Sequence, residues 1–166
     1  MNTAPVYLSI AGSDCSAGAG IQADLKAGFA LGCYPLTAVT CVVSEVPGKV
    51  EGITPMTPEF VADQVSICLR HFPVAAIKTG MLYSPEIVRA VTAELQNYSG
   101  PIVVDPVMIA TAGEPLILQS AISVYEQNLM PRTTLLTPTL DELQRLLNTT
   151  TPIQTPDDLQ HAAREL

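Results

Sequence analysis

Basic side chains are scarce in this sequence. Eight Lys and Arg residues stand against sixteen Asp and Glu among 166 residues, which gives a net charge of −8 and an isoelectric point near 4.5. A surface that binds the phosphate backbone of nucleic acids needs clustered Lys and Arg, so we expect no nucleic-acid partner. The first basic residue is Lys26, too late for a signal-peptide head, and no apolar run approaches the ~18 residues of a membrane helix. These absences predict a cytoplasmic protein with no membrane partner.

Cysteine and histidine are also few, and they are not spaced as metal ligands. The four cysteines show no C-x-x-C pairing, and the two histidines lie far apart. This usage is typical of reduced thiols rather than of a disulfide framework or a zinc site. Fourteen prolines and ten glycines are spread along the chain, so they punctuate short elements and mark no linker. Length and composition therefore predict a single domain over residues 1–166.

Apolar runs of strand length alternate with segments of helical period along the chain. This alternation is typical of repeated βα units and predicts an α/β fold with a doubly wound, mostly parallel sheet flanked by helices. Because most of the runs are continuously apolar, we expect helices on both faces of the sheet. The predicted strands are Val6–Ala11, Leu36–Val43, Val50–Thr54, Val74–Thr79, Ile102–Asp105 and Thr134–Thr137.

Apolar residues at helical spacing predict three helices with core-facing stripes. The stripes are Val61, Val65, Cys68 and Phe72; Val88, Val91, Leu95 and Tyr98; and Leu118, Ile122, Tyr125 and Leu129. Further helices are expected to begin after Ala19, Thr139 and Thr155, the last two with an acidic residue three positions later, as in a capping box. The last helix runs to Leu166 without a stop signal, which suggests a further strand beyond it.

Ligands of open parallel sheets bind beyond the carboxyl ends of the strands, so polar residues there are the first site candidates. The charged residues found at these ends are Asp14, Lys78, Asp105 and Glu142. The small-residue segment Gly12–Gly20 opens onto a helix, and its spacing allows a phosphate cradle, a small-molecule contact loop or an uninvolved tight turn. Asp24 can equally be a surface carboxylate near the helix dipole, and Asp105 a loop carboxylate that caps backbone donors.

Four segments carry a family resemblance. They read LSIAGSDCSAGAGIQADLKAGFALG (8–32), IKTGML (77–82), VVDPVMIATAGEPL (103–116) and LLTPTLDEL (135–143). Together they resemble the hydroxymethylpyrimidine and phosphomethylpyrimidine kinases of thiamine biosynthesis, which belong to the ribokinase-like superfamily, and the likeness extends to Leu166. The resemblance implies a ribokinase-like fold and a phosphotransferase that uses ATP and Mg²⁺ on the alcohol group of a small heteroaromatic substrate. It also makes a homodimer possible, because dimers are common in the family.

The resemblance implies roles for individual residues. The positions that match the pyrimidine pocket are Gly12, Ala19, Asp24, Val43, Met81 and Val107, with Asp24 near the substrate hydroxyl. Asp105 and Glu142 match positions that organise Mg²⁺ and the nucleotide phosphates, usually through water, as expected of an ion that dehydrates reluctantly. The first loop is thereby interpreted as part of a substrate pocket and not as a phosphate cradle.

Glu45 departs from the family pattern. Most members have Gln in a segment like AQNT at this pyrimidine-reading position, whereas this chain has SEVP. An amide can both donate to a ring nitrogen and accept from an amine, but an ionised carboxylate can only accept. A proton is therefore needed, and we expect Glu45 to pair with a protonated ring, with an affinity that rises as pH falls. The alternative is a side chain that points outward beside Pro47 and Gly48.

Two further departures concern the nucleotide side. The family's T-P-N-x-x-E reads T-P-T-L-D-E here, so Thr139 replaces Asn and a weaker affinity for nucleotide or Mg²⁺ is expected. The family's K-G-G-H segment and its G-T-G-C motif, which supplies the anion hole and the catalytic base, would fall beyond Leu166. The resemblance thus predicts the substrate-binding portion of a kinase, an incomplete domain truncated at its C-terminus. The alternatives are a pyridoxine or pyridoxal kinase and a non-catalytic pyrimidine-binding module.

Overall fold

The computed structural model describes residues 4–108 and 119–166. Its strands are β1 (Val6–Asp14), β2 (Tyr34–Val46), β3 (Lys49–Pro55), β4 (Val74–Thr79), β5 (Ile102–Val104) and β6 (Leu135–Leu136). Its α-helices are α1 (Gly20–Ala30), α2 (Pro58–His71), α3 (Pro85–Glu94), α4 (Gln119–Val124), α5 (Leu140–Leu146) and α6 (Pro156–Glu165). A π-helical segment, Tyr125–Leu129, and a 3₁₀ turn, Met130–Arg132, follow α4 directly.

The strands form one sheet in the order β3-β2-β1-β4-β5-β6. All neighbours pair in parallel except β2 and β3, which form an antiparallel hairpin. Central β1 pairs Leu8 with Leu36 on one side and with Ile77 on the other. The order turns back on both sides of β1, which is the doubly wound, mostly parallel α/β architecture that the sequence predicts.

The β2–β3 hairpin is more exposed than helices on both faces of the sheet would leave it. Most residues of β3 are exposed, and so are Val42 and Val46 of β2. The buried apolar residues of the hairpin form a second, smaller cluster, in which Val43 packs with Cys41 and Met81, and Val50 and Ile53 lie against them. Its tip is the turn at Pro47 and Gly48, where Gly48 has φ +83.

The core lies between the central strands and α2, α3 and the segment that follows α4. Buried members of the predicted stripes are Val61, Val65, Val88, Val91, Leu95, Ile122, Tyr125 and Leu129. Cys68 and Tyr98 are partly buried against this cluster, and Leu118 falls outside the described residues. Phe72 is an exception: it follows the end of α2, stays 40% exposed and stacks on Tyr34. The stripes therefore face the core as predicted, except at that helix end.

Local sequence signals place the helix starts correctly. The α1, α5 and α6 helices begin directly after Ala19, Thr139 and Thr155. The two threonines form reciprocal capping boxes with Glu142 and Asp158. By contrast Ala19 has no side chain that can cap, so the amide groups at the start of α1 need another partner.

Strands β1, β2 and β3 are longer than their apolar runs predict, and β5 and β6 are shorter. β1 continues past Ala11 to Asp14 because it keeps pairing with β2 through Ser13 and Asp14, after an irregularity in register. β2 continues to Val46 because β3 pairs with it. The connection from β1 to α1 is therefore shorter than the predicted loop Gly12–Gly20, and Asp14 lies at its very start.

Candidate active site

A cavity of about 500 Å³ opens at the carboxyl ends of β1, β2, β4 and β5. The loop before α1 and the turn of the β2–β3 hairpin complete its wall. All of the predicted pocket residues line it: Gly12, Ala19, Asp24, Val43, Glu45, Met81 and Val107. Asp105 lines it too. The structure thus brings together residues from four separate chain segments, 11–24, 43–50, 78–81 and 105–107. Its dimensions suit a small ring rather than a macromolecular chain.

Glycine is required at two places around this cavity. At Gly12 a Cβ atom would lie 2.9 Å from Sγ of buried Cys41, so the strand approaches its neighbour too closely for a side chain. At Gly20 the backbone has φ +58, and a Cβ atom would meet the carbonyl oxygen of Gly12 at 2.3 Å. The first turn of α1 therefore lies too close to the end of β1 for a side chain at Gly20.

The carboxylate of Asp14 occupies the backbone amides of the first loop. It accepts hydrogen bonds from the N–H groups of Ser16 at 2.6 Å, Gly18 at 2.9 Å and Ala19 at 2.8 Å. Burial opposes ionisation, but these bonds outweigh it and hold the pKa of Asp14 below its usual range. An internal carboxylate therefore uses the donors that a phosphate cradle would offer, which leaves the loop as a cavity wall.

Glu45 turns its carboxyl group toward the same wall. Its backbone is fixed by Cys15, whose thiol donates to the Glu45 carbonyl at 3.3 Å and accepts from the Glu45 N–H at 3.4 Å. Burial, the negative charge of Asp14 and a hydrogen bond with the Asp14 side chain raise the pKa of Glu45. Glu45 is half-buried and lines the cavity, so the outward-pointing alternative does not describe it.

Side chains of β1 and β4 hold the Asp24 carboxylate in place. Its Oδ2 accepts from the Ser9 hydroxyl at 2.5 Å and from Nζ of Lys78 at 3.2 Å. The Tyr7 hydroxyl donates to the Asp24 backbone carbonyl. Register explains this arrangement, because Ser9 of β1 pairs with Lys78 of β4, and α1 crosses above them. Asp24 is thus an ion-paired residue of the cavity and not a surface carboxylate of the first helical turn.

Lys78 also approaches Asp105, the residue that follows β5. Its Nζ lies 3.6 Å from Oδ2 of Asp105. Burial raises the pKa of Asp105, the ammonium of Lys78 works against that increase, and the charges of Glu142 and Asp24 add to it. Asp105 is therefore an anionic group in an already acidic neighbourhood, which is the setting in which a bound divalent cation is favoured.

Glu142 and Thr139 lie beside the cavity but do not line it. Oε1 of Glu142 accepts from the Met108 N–H at 3.0 Å, and Oε2 accepts from the Thr139 N–H and hydroxyl, both at 2.8 Å. Glu142 is buried, with only 3% of the residue exposed. In this structure both side chains tie the start of α5 to the segment after β5.

Sequence reasoning placed Lys78 and Asp14 at the correct edge but gave neither a role. Their signal was charge at the end of an apolar strand, and their partners became visible only in three dimensions. Within residues 4–108 and 119–166, no cluster of three or more His, Cys, Asp or Glu side chains could hold a metal ion. No helix in these same ranges is long and apolar enough to cross a membrane.

Comparisons with known proteins agree with this architecture. The chain is 49% identical over 139 residues to a putative hydroxymethylpyrimidine/phosphomethylpyrimidine kinase 2 of Schizosaccharomyces pombe, covering 83% of this chain and 25% of that protein. It is 40% identical over 142 residues to the hydroxymethylpyrimidine/phosphomethylpyrimidine kinase of Escherichia coli, covering 85% and 53%. The chain thus spans a quarter to about half of the length of these relatives.

Two solved structures are similar over nearly the whole chain. A crystal structure of phosphomethylpyrimidine kinase from Clostridium difficile 630 matches with a TM-score of 0.88 and 32% identity, covering 98% of this chain and 70% of the other. A pyridoxal kinase from Staphylococcus aureus, in complex with AMP-PCP and pyridoxal, matches with a TM-score of 0.85 and 31% identity, covering 99% and 58%. The fold is therefore that of the ribokinase-like kinases.

The sequence profile of the phosphomethylpyrimidine kinases matches residues 14–166. The chain belongs to the phosphomethylpyrimidine kinase family. The resemblance that the four segments indicate is confirmed, as is the α/β fold class that it implies.

Proposed function

We propose that the cavity binds hydroxymethylpyrimidine and that the chain serves the ATP-dependent phosphorylation of its hydroxyl group in thiamine biosynthesis. The observation that carries this proposal is the meeting of Asp24 with the apolar residues Val43, Met81 and Val107 in one cavity. A flat heteroaromatic ring is bound well by apolar walls, whereas its hydroxyl needs a polar acceptor. The family membership supports the same substrate class.

Each part of the cavity then has a task. Asp24, fixed by Ser9 and Lys78, accepts the hydrogen bond of the substrate hydroxyl and so orients its oxygen. Glu45, which lines the same cavity beside Asp14, binds the nitrogen-bearing edge of the ring. Gly12 leaves room for the ring because no side chain projects there.

Mg²⁺ and the nucleotide are expected near Asp105. Its carboxylate is a hard oxygen donor of the kind Mg²⁺ prefers, and one-third of its side chain is exposed, which leaves space for a water between ion and carboxylate. Glu142 fits a more distant role, because both of its oxygens already accept hydrogen bonds. When bound, Mg²⁺ would neutralise charge on the nucleotide phosphates.

A pyridoxal kinase is the second candidate function. The match to the S. aureus pyridoxal kinase is nearly as close as that to the C. difficile phosphomethylpyrimidine kinase, so the fold alone does not choose between them. A pyrimidine-binding module without catalysis is a third possibility from a different class. Glu45 and Asp14 favour the pyrimidine, because an acidic pair suits a ring edge that carries an amine donor.

The test combines binding with turnover in the 166-residue chain. Isothermal titration calorimetry with hydroxymethylpyrimidine, its monophosphate and pyridoxal measures which ring is bound, and ADP release with Mg²⁺ and ATP measures transfer. We expect binding of hydroxymethylpyrimidine at least tenfold tighter than that of pyridoxal, a difference of about 1.4 kcal/mol. Tighter binding of pyridoxal would overturn the proposal in favour of the second candidate. Binding without ADP release would support the binding module.

A further inference from the structure

Asp24 is expected to meet the substrate hydroxyl, and Asp105 lies on the nucleotide side. Among the described residues that line the cavity, Lys78 alone contacts both carboxylates. Its ammonium lies 3.2 Å from Oδ1 of Asp24 and 3.6 Å from Oδ2 of Asp105. These groups are partly shielded, with side chains 25%, 18% and 33% exposed for Lys78, Asp24 and Asp105. One positive charge is therefore shared by two negative ones at the centre of the site.

The position of Lys78 is costly for the fold alone. It is part of β4, whose neighbouring residues Ile77 and Thr79 are buried, and its ammonium pairs with Asp24 of α1. An apolar side chain of the same length would fill this space without withdrawing an ammonium from water, and such replacements are often neutral or stabilising. The ammonium is therefore better explained by what it does to its two partners.

The geometry limits what that action can be. Both oxygens of Asp24 lie within 3.2 Å of the same ammonium, so rotation of the carboxylate about its last bond is restrained. Ser9, whose side chain is buried, fixes Oδ2 from the other side at 2.5 Å. A carboxylate held by two donors presents its remaining lone pairs in one direction, which is the condition for orienting a bound hydroxyl.

We infer that Lys78 is a positioning residue for the acceptor hydroxyl: it acts through Asp24, and its contact with Asp105 sets the distance between the hydroxyl site and the nucleotide side. This inference rests on the proposed function, because it needs a ligand whose hydroxyl meets Asp24. It assigns Lys78 no direct contact with the ring. The contribution of Lys78 to binding should therefore vanish when either the ligand hydroxyl or the Asp24 carboxylate is removed.

The experiment measures dissociation constants by calorimetry for two ligands. One is hydroxymethylpyrimidine, and the other is the same pyrimidine with a methyl group in place of the hydroxymethyl group. Lys78→Met keeps the apolar stem and removes the charge. The control is Arg89→Met: Arg89 lies on α3 and does not line the cavity, and its guanidinium pairs with exposed Glu86 at 3.9 Å. Thermal melts of each variant check folding.

We expect Lys78→Met to weaken hydroxymethylpyrimidine binding about tenfold, equivalent to about 1.4 kcal/mol. Binding of the methyl analogue should change less than about twofold, and Arg89→Met should leave both constants within that range. Lys78→Arg should restore part of the loss, because it keeps the charge with a different geometry. An equal loss for both ligands would overturn the inference, since Lys78 would then shape the ring pocket instead.

A double-mutant cycle with Asp24→Asn supplies a second, independent test. If Lys78 acts through Asp24, adding Lys78→Met to the Asp24→Asn variant should cost less than about twofold in affinity. Full additivity of the two losses would contradict the inference. The double variant also removes one negative charge along with the positive one, so it remains informative if Lys78→Met alone unfolds. Failure of the unmodified chain to bind either pyrimidine would instead overturn the proposed function, and the inference with it.

Discussion

Two parts of the strand edge use their carboxylates in different ways. Around α1, Asp24 lines the cavity and its partners are a hydroxyl and an ammonium, both on side chains. Around α5, Glu142 is buried and its oxygens accept from backbone N–H groups of Met108 and Thr139. Backbone partners tie the Glu142 carboxylate to the fold, whereas side-chain partners hold Asp24 in one orientation at the cavity. Glu142 therefore stabilises the structure, and Asp24 is available to bind.

Asp14 shows that the cavity needs both kinds of carboxylate. It lines the cavity as Asp24 does, but its oxygens hold the backbone of the first loop as those of Glu142 hold α5. Its lowered pKa means that it stabilises the fold above the pKa of an unfolded Asp, and that this stabilisation is lost as pH falls through the folded value. The wall of the cavity is thus held through backbone groups where Asp14 lies and through side-chain groups where Asp24 and Lys78 meet.

The contrast between Glu142 and Asp24 depends first on a structural role for Glu142. Glu142→Ala should lower the free energy of unfolding by about 3 kcal/mol, because it leaves the N–H of buried Met108 and that of Thr139 without their carboxylate partner. Urea denaturation measures the loss. Asp141→Ala, an exposed acidic residue in the same helical turn, is the control and should cost no more than about 0.5 kcal/mol. An unchanged urea midpoint for Glu142→Ala would show that Glu142 is free for a ligand.

On the cavity side, a smaller loss is expected from filling the space at Gly12. Gly12→Ala places a methyl group 2.9 Å from Cys41 Sγ, and overpacking of this kind costs about 1–3 kcal/mol. It should also weaken pyrimidine binding, because the new methyl group projects toward the cavity wall formed by Val43 and Met81. Gly18→Ala is the control, since a Cβ atom there makes contacts of 3.5 Å or more. Equal binding and stability in the two variants would contradict the tight approach of β1 to β2.

Glu45 should make pyrimidine binding in the cavity depend on pH. Its raised pKa keeps it protonated to a higher pH than an ordinary Glu, and the proton it shares with the ring is lost above that pKa. The affinity for hydroxymethylpyrimidine should therefore fall by up to about tenfold for each pH unit above the folded pKa. Glu45→Gln should bind with nearly constant affinity between about pH 5.5 and 8, since the amide does not titrate. Calorimetry across this range checks both proteins.

The charged groups around Glu45 define what would count against this prediction. Asp14 faces it from the loop after β1, and Lys49 lines the cavity from β3. Asp14 stays ionised throughout this range because its pKa is lowered, so it adds no slope of its own. A flat profile for the unmodified chain, or a slope that persists in Glu45→Gln, would remove Glu45 from ring recognition.

Local signals in the sequence predict more of the fold than of the site. Strand β4 has the predicted bounds, and both capping boxes form, because each depends on residues within a few positions of one another. The contact of Lys78 with Asp24 joins residues 54 apart, and that of Glu142 with Met108 spans 34. These contacts depend on strand register and on where α1 crosses the sheet, which local periodicity does not encode. For the same reason, the sequence pattern of β3 does not reveal that most of its residues are exposed.

The smallest effect concerns Thr139, where this chain departs from the family's Asn. Its hydroxyl donates to Oε2 of Glu142 and accepts from the Glu142 N–H, so it already serves fully as an N-cap. Because Asn caps helices about as well as Thr, Thr139→Asn should change the free energy of unfolding by less than about 0.5 kcal/mol. As the cap, the Asn carbonyl oxygen would accept from the Glu142 N–H, and its NH₂ group would remain free to donate to a nucleotide phosphate, so Mg²⁺-ATP affinity should rise about threefold. Calorimetry with Mg²⁺-ATP measures that gain, and Thr155→Asn, the equivalent cap of α6, is the control and should leave it unchanged. A gain at both positions would mean that the effect is not local to the nucleotide side, and no gain at Thr139 would mean that α5 serves only to hold Glu142 in place.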